Sequence, residues 1–98
     1  MEEINKKNLF IEINDVNFII VASEYDDQLN FKILEKKVIN SIGIQNGKII
    51  DIDKSSQALK KGINSVEEKI NFVFRKAYLV LDQNDIECIN ICGFKKLN

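Results

Sequence analysis

Ile52, Leu59, Ile63, Val66, Ile70 and Val73 recur at spacings of 7, 4, 3, 4 and 3. A helix, turning once every ~3.6 residues, lines such positions up along one side. The sequence on either side of this stretch has another rhythm, with apolar residues alternating or gathered in short blocks of strand length. One long helix set among strands is the main constraint on the fold. A strand that follows such a helix and is apolar on both faces has to return across the sheet, and that return gives parallel pairing inside it.

The strands can be read from their alternation. The first is expected from Asn8 to Asn14, with Leu9, Ile11 and Ile13 on one face and Phe10 and Glu12 on the other. Asn14-Asp15 signals a turn. The second runs from Val16 to about Glu24. Its centre, Phe18-Ile19-Ile20-Val21-Ala22, is apolar on both faces, which is the signature of an inner strand. After a loop at Tyr25-Asp26-Asp27-Gln28, the third strand spans Leu29 to about Val38. Leu29, Phe31 and Ile33 are expected to face the core, with Asn30 and Lys32 outward on a half-exposed edge. Gly43 and Gly47 punctuate a connector from Asn40 to Lys48, and Ile49-Ile50 is a short extended piece.

Asp51 or Asp53 can cap the helix, since either carboxylate can accept its orphan N–H groups. The helix is expected to reach about Phe74, with Lys54, Lys60, Lys61, Glu67, Glu68 and Lys69 mostly covering its outer side. Gly62 within it costs about 1 kcal/mol against Ala, and close approach of helix to sheet would explain it. Ala77 to Asp82 is the returning strand. Gln83-Asn84-Asp85 turns the chain, and Ile86 to Cys92 forms one more strand. The expected fold is α/β, in the order β-β-β-α-β-β, a mixed sheet with one long helix on a face. No repeat or linker divides the chain, so residues 1–98 read as a single domain.

Composition narrows the partners. Fourteen Lys and Arg against fifteen Asp and Glu give a net charge of −1, and the basic pairs are scattered, which argues against nucleic acid and against direct contact with an anionic membrane. The start lacks a basic segment leading into an apolar core, and no apolar run approaches the ~20 residues of a membrane span. Cys88 and Cys92 sit on one expected strand, about 13 Å apart at Cα. That is too far for a disulfide, so free thiols and a cytoplasmic setting are expected.

With no His in the chain, Ser-His and Cys-His nucleophile systems are absent and a zinc site lacks ligands. The carboxylate pairs Asp26-Asp27, Asp51/Asp53 and Glu67-Glu68 read as loop solubility, helix capping and a solvated helix face. No GxGxxG or Walker A pattern is present. Phe18, Phe31, Phe72, Phe74 and Tyr78 read as core rather than as a base-stacking platform. The turn that ends the first strand is the candidate site. There an acid, Glu12, precedes Asn14, Asp15, Val16 and Asn17. Backbone N–H groups of such a turn can cradle a phosphate while the acid holds a metal-bound water. This turn has no Gly to let a phosphate approach, and Asp15 adds negative charge; a plain polar hairpin turn is the competing reading.

Three segments carry a family likeness. Ile11-Glu12-Ile13-Asn14-Asp15-Val16-Asn17-Phe18 stands where one family has a strand, Asp-Ile-Gly-Thr/Ser-Ser and a second strand. Asn46-Gly47-Lys48-Ile49-Ile50-Asp51-Ile52 matches its Lys/Arg-Gly-x-Val/Ile-x-Asp-Ile entry to a long helix. Ala77 to Asp82, with Ile89-Asn90-Ile91-Cys92-Gly93, matches a later strand and the exit from it. From Leu9 onward the chain resembles the N-terminal part of FtsA, the actin-like bacterial cell-division family.

The resemblance implies a ribonuclease H-like, actin-like ATPase half-lobe, with an inserted interaction subdomain beginning at about residues 86–98. It implies a fragment of a division scaffold that links the FtsZ ring to the inner face of the cell membrane. Its partners would be protein: an FtsZ-like division protein and further copies of itself. By position, Glu12 matches the metal-side acid, and Asn14, Asp15 and Asn17 fall in a degenerate phosphate loop. No cofactor is expected for this chain alone, ATP and Mg belonging to a full-length protein; no hydrolysis and negligible ATP affinity are expected here. A sugar-kinase-type or pilus-assembly-type lobe and a stand-alone small adaptor are the alternative readings.

Overall fold

The computed structural model describes residues 6–28, 30–82 and 85–91. Three strands come first: β1 (Lys7–Ile13), β2 (Asn17–Tyr25) and β3 (Phe31–Asn40). A small hairpin follows, β4 (Ile44–Gln45) with β5 (Lys48–Ile49), and then helix α1 (Ile52–Ile70). Strands β6 (Lys76–Asp82) and β7 (Asp85–Asn90) complete the described elements. The main sheet has the order β3-β2-β1-β6-β7. β1 pairs antiparallel with β2 and parallel with β6, Ile11 lying opposite Ile20 on one side and Leu79 on the other. The mixed α/β sheet and the parallel return beside the opening strand agree with the expectation from sequence. Cys88 lies in β7, whereas Cys92 and residues 93–98 fall outside the described residues.

Leu9, Ile11 and Ile13 of β1 and Phe18, Ile20 and Ala22 of β2 are buried on one face, and Ile63 and Val66 of α1 are buried in the same core. Each of these side chains except that of Ala22 contributes about 1.5–3 kcal/mol by leaving water. Gly62 is where helix and sheet come closest. A Cβ there would run into Cδ1 of Ile20, so the missing side chain is what lets the helix axis settle onto β2.

The helix begins where Asp51 caps it, Lys54 N–H donating to Asp51 Oδ1 at 3.1 Å. It ends at Asn71, left-handed at φ 57° and ψ 49°, earlier than the apolar stripe indicated. The N–H groups of Asn71 and Phe72 both donate to the Glu67 carbonyl, a Schellman-type closure. Val73 therefore lies beyond the helix and is exposed, as is Ile52 in its first turn. Glu67 is also not on a solvated face. Its carboxylate is buried and accepts from Phe74 N–H at 2.8 Å, carrying the chain from the helix into β6.

The third strand departs most from expectation. A register shift lies between Ala22, opposite Glu35, and Ser23, opposite Ile33. Leu34 is the extra residue, and it packs against the core. Beyond the bulge, Ile33 and Phe31 share the face of Ser23 and Tyr25, away from α1, and both are exposed instead of buried. Leu29 lies outside the described residues.

In the β2–β3 loop, Asp26 accepts from the N–H groups of Gln28 and Asn30, both at 2.9 Å, and from the Asn30 side chain at 3.1 Å. The Asn30 hydrogen bonds, backbone first, hold its carboxyl below the ordinary 3.8. A carboxyl lowered by folding adds stability above its unfolded pKa, and that stability is lost as pH falls through the folded value. NMR titration should place the Asp26 midpoint below 3.8. Asp26→Asn should flatten the part of the acid-unfolding curve below that pH. Gly62→Leu should lower stability in urea unfolding by about 1–3 kcal/mol, because the added side chain meets Ile20 Cδ1 where helix and sheet are closest. Asn71→Gly should leave stability within about 0.5 kcal/mol, and Asn71→Val should cost about 1–2 kcal/mol, since a β-branched residue resists positive φ.

Candidate functional site

β1 carries Glu12 to the C-terminal end of the central strands, and the chain turns at once into β2. Asn14 organises that turn. Its Oδ1 accepts from the N–H groups of Val16 and Asn17, each at 2.8 Å. Its own N–H donates to the Asn17 carbonyl at 3.1 Å. Its side-chain amide donates to Glu12 Oε2 at 3.3 Å. This is an Asx turn closed on itself, with a short polar side chain standing where an anion would otherwise meet the backbone.

Asp15 reaches across to the second hairpin, its Oδ1 accepting from Gly47 N–H at 2.8 Å. That hairpin is built on Asn46-Gly47, with φ of 52° and 74°, the two left-handed residues of a type I′ turn. Asn-Gly between short apolar pieces is the strongest local hairpin signal, so the expected connector from Asn40 to Lys48 contains a hairpin turn. Ser41 N–H donates to the Val16 carbonyl at 2.9 Å, so β3 closes over the turn from its other side. Gly43 carries the hairpin to the helix: its carbonyl accepts from Ile50 and Asp51, and Ser55 Oγ donates to Ile42 O at 2.7 Å. With φ 78° and Asp51 and Ser55 crowding its Cα, Gly43 has no room for a side chain.

The four residues singled out in the sequence, Glu12, Asn14, Asp15 and Asn17, are thus together in space. Two of the amides flanking them, those of Val16 and Asn17, are held by Asn14. The acid Asp15 is engaged with backbone. No group of three or more His, Cys, Asp or Glu able to hold a metal ion occurs among the described residues. No described helix is long and apolar enough to cross a membrane. Away from the turn, the sheet face opposite α1 bears Phe10, Ile19, Val21, Val38 and Tyr78, with Phe10 stacked on Tyr78 at 5.3 Å.

No family model matches this chain. Against curated proteins it is 32% identical over 89 residues to the cell division protein FtsA of Enterococcus hirae, an alignment covering 90% of this chain and 20% of that protein. With the cell division protein FtsA of Bacillus subtilis (strain 168) it is 32% identical over 68 residues, covering 69% of this chain and 15% of that protein. The chain therefore spans a fifth or less of the length of these relatives.

Asn14→Ala removes the acceptor of two turn amides and should lower stability by about 1–2 kcal/mol in chemical unfolding. Asp15→Ala should release the second hairpin, read as faster hydrogen exchange at the Gly47 amide, with the β1 and β2 amides unchanged.

Proposed function

Because this chain is a relative of the FtsA cell-division proteins over most of its own residues, we propose that it is a protein-contact piece of an FtsA-like division scaffold, with nucleotide binding weak or lost in this piece. In this reading β1 to β6 and α1 are the first half-lobe of an actin-like, ribonuclease H-like ATPase fold. The inserted interaction subdomain then begins at about residues 86–98. The larger assembly would join an FtsZ-like ring to the inner face of the membrane at the division site, and would associate with further copies of itself.

The reading of a weak nucleotide site is supported by the turn at Asn14. A phosphate cradle needs backbone N–H groups turned outward and no acid in their midst. Here the N–H groups of Val16 and Asn17 are bonded to a side chain, and Asp15 brings a carboxylate to the same place. These residues do not fit a triphosphate with Mg.

The observation that carries the protein-contact role is the sheet face opposite α1. Phe31, Ile33 and Val38 are 60%, 58% and 49% exposed, on the face that also carries half-buried Phe10, Ile19 and Val21, with Lys36 and Glu12 set among them. Large apolar side chains gathered in the open on one face, beside polar ones, are a feature of protein interfaces. The test is co-sedimentation of the chain with polymerised FtsZ. The chain is expected in the pellet, and Ile33→Asp with Val38→Asp should reduce the bound fraction about tenfold. A chain that stays wholly in the supernatant, or variants that pellet as well as the wild type, would contradict the role.

A further inference from the structure

At the other end of the central strands, about 560 Å³ of open cleft lies between the start of β1 and the segment joining α1 to β6. Lys7, Phe72, Val73, Arg75, Lys76 and Tyr78 line it. Since β1 and β6 are parallel, both begin here, and the register that sets Phe10 opposite Tyr78 puts Asn8 level with Lys76. The cleft is thus a strand length away from Asn14 and shares none of its residues.

Three cations converge on an apolar floor. Lys7 Nζ stands 5.1 Å from the centroid of the Phe72 ring and pairs with Glu24 at 3.1 Å. Phe72 is held edge-on to the buried Phe74 at 4.9 Å, so the floor is anchored in the core. Val73, put outside the helix by the left-handed Asn71, is 68% exposed on the rim. Arg75 and Lys76 are exposed, and among the described residues neither forms an ion pair. Yet acids outnumber bases in the chain as a whole, fifteen to fourteen, so this pair of cations, without an ion pair among the described residues, is a local arrangement and not the overflow of a basic protein.

We propose that this cleft docks an acidic polypeptide segment bearing an aromatic or aliphatic side chain. The segment's carboxylates meet Arg75 and Lys76, the guanidinium offering a two-pronged match to one of them. Its apolar side chain lies on Phe72 and Val73. Charge selects the partner and the apolar floor holds it, which is the usual division of labour at such surfaces. The proposal goes beyond the division-scaffold reading, does not use the turn at Asn14, and shares only Tyr78 with the sheet face opposite α1.

The test is fluorescence anisotropy with a short fluorescein-labelled peptide of aspartates flanking a phenylalanine and a leucine. Binding should weaken about tenfold in Arg75→Ala with Lys76→Ala, and further as salt is raised, because rim charges act in screened solvent. Val73→Ser, which leaves every charge in place, should weaken it several-fold. A matching peptide with serine for the phenylalanine and leucine should bind about tenfold more weakly. Three results would overturn the proposal: no binding of the acidic peptide at millimolar chain, equal affinity for the charge-removed variant, or equal affinity for the serine peptide. Displacement of the acidic peptide by vesicles of anionic lipid, with the same dependence on Arg75 and Lys76, would also overturn it by making the surface a membrane contact.

Discussion

Everything in this molecule is arranged about β1. It is bonded on both sides, antiparallel to β2 and parallel to β6, so each of its ends becomes a fixed place rather than a fraying terminus. Leu9, Ile11 and Ile13 turn toward α1 and are sealed by it, and Gly62 permits the seal by leaving Ile20 room. The parallel partner matters most. It requires the chain to leave the sheet, form α1 and return, and the helix is thereby laid over the strands that it must cover.

The two ends of β1 have opposite characters. At one, Asn14 folds its side chain back on the following amides, and Asp15 ties the turn to the β4–β5 hairpin, leaving a polar corner bonded mainly to itself. At the other, Lys7, Arg75 and Lys76 open onto solvent around aromatic rings. Between them the face away from α1 exposes Phe31, Ile33 and Val38. The proposed protein-contact role rests on these surfaces together with the kinship to division proteins several times the chain's length.

Much of this could be read from residues alone, because the signals were local. The alternation of Leu9, Ile11 and Ile13, the doubly apolar centre of β2, an aspartate cap at Asp51 or Asp53 and the close contact at Gly62 each follow from one segment's pattern, and the structure selects Asp51 as the cap. What escaped was set by partners or by single dihedral angles. The bulge opposite Ala22 and Ser23 reverses Phe31 and Ile33, and no periodicity within β3 announces it. Asn71 stops a helix whose apolar stripe continues to Val73, and Glu67 is buried because the chain folding back at Phe74 needs an acceptor. The residues of the candidate turn lie together because they are consecutive, whereas their internal hydrogen bonds depend on Asn14 adopting one rotamer. The bond from Gly47 to Asp15 joins residues 32 apart in sequence, beyond the reach of any local pattern.

The central claim is that the turn ending β1 keeps its amides for itself. Amide chemical shifts of Val16, Asn17 and Gly47, followed by NMR while Mg-ATP is added to millimolar concentration, test it most directly. The account predicts that all three stay where they are. A saturating shift of the Val16 and Asn17 amides at micromolar nucleotide would contradict it, since those N–H groups would then have exchanged Asn14 for a phosphate.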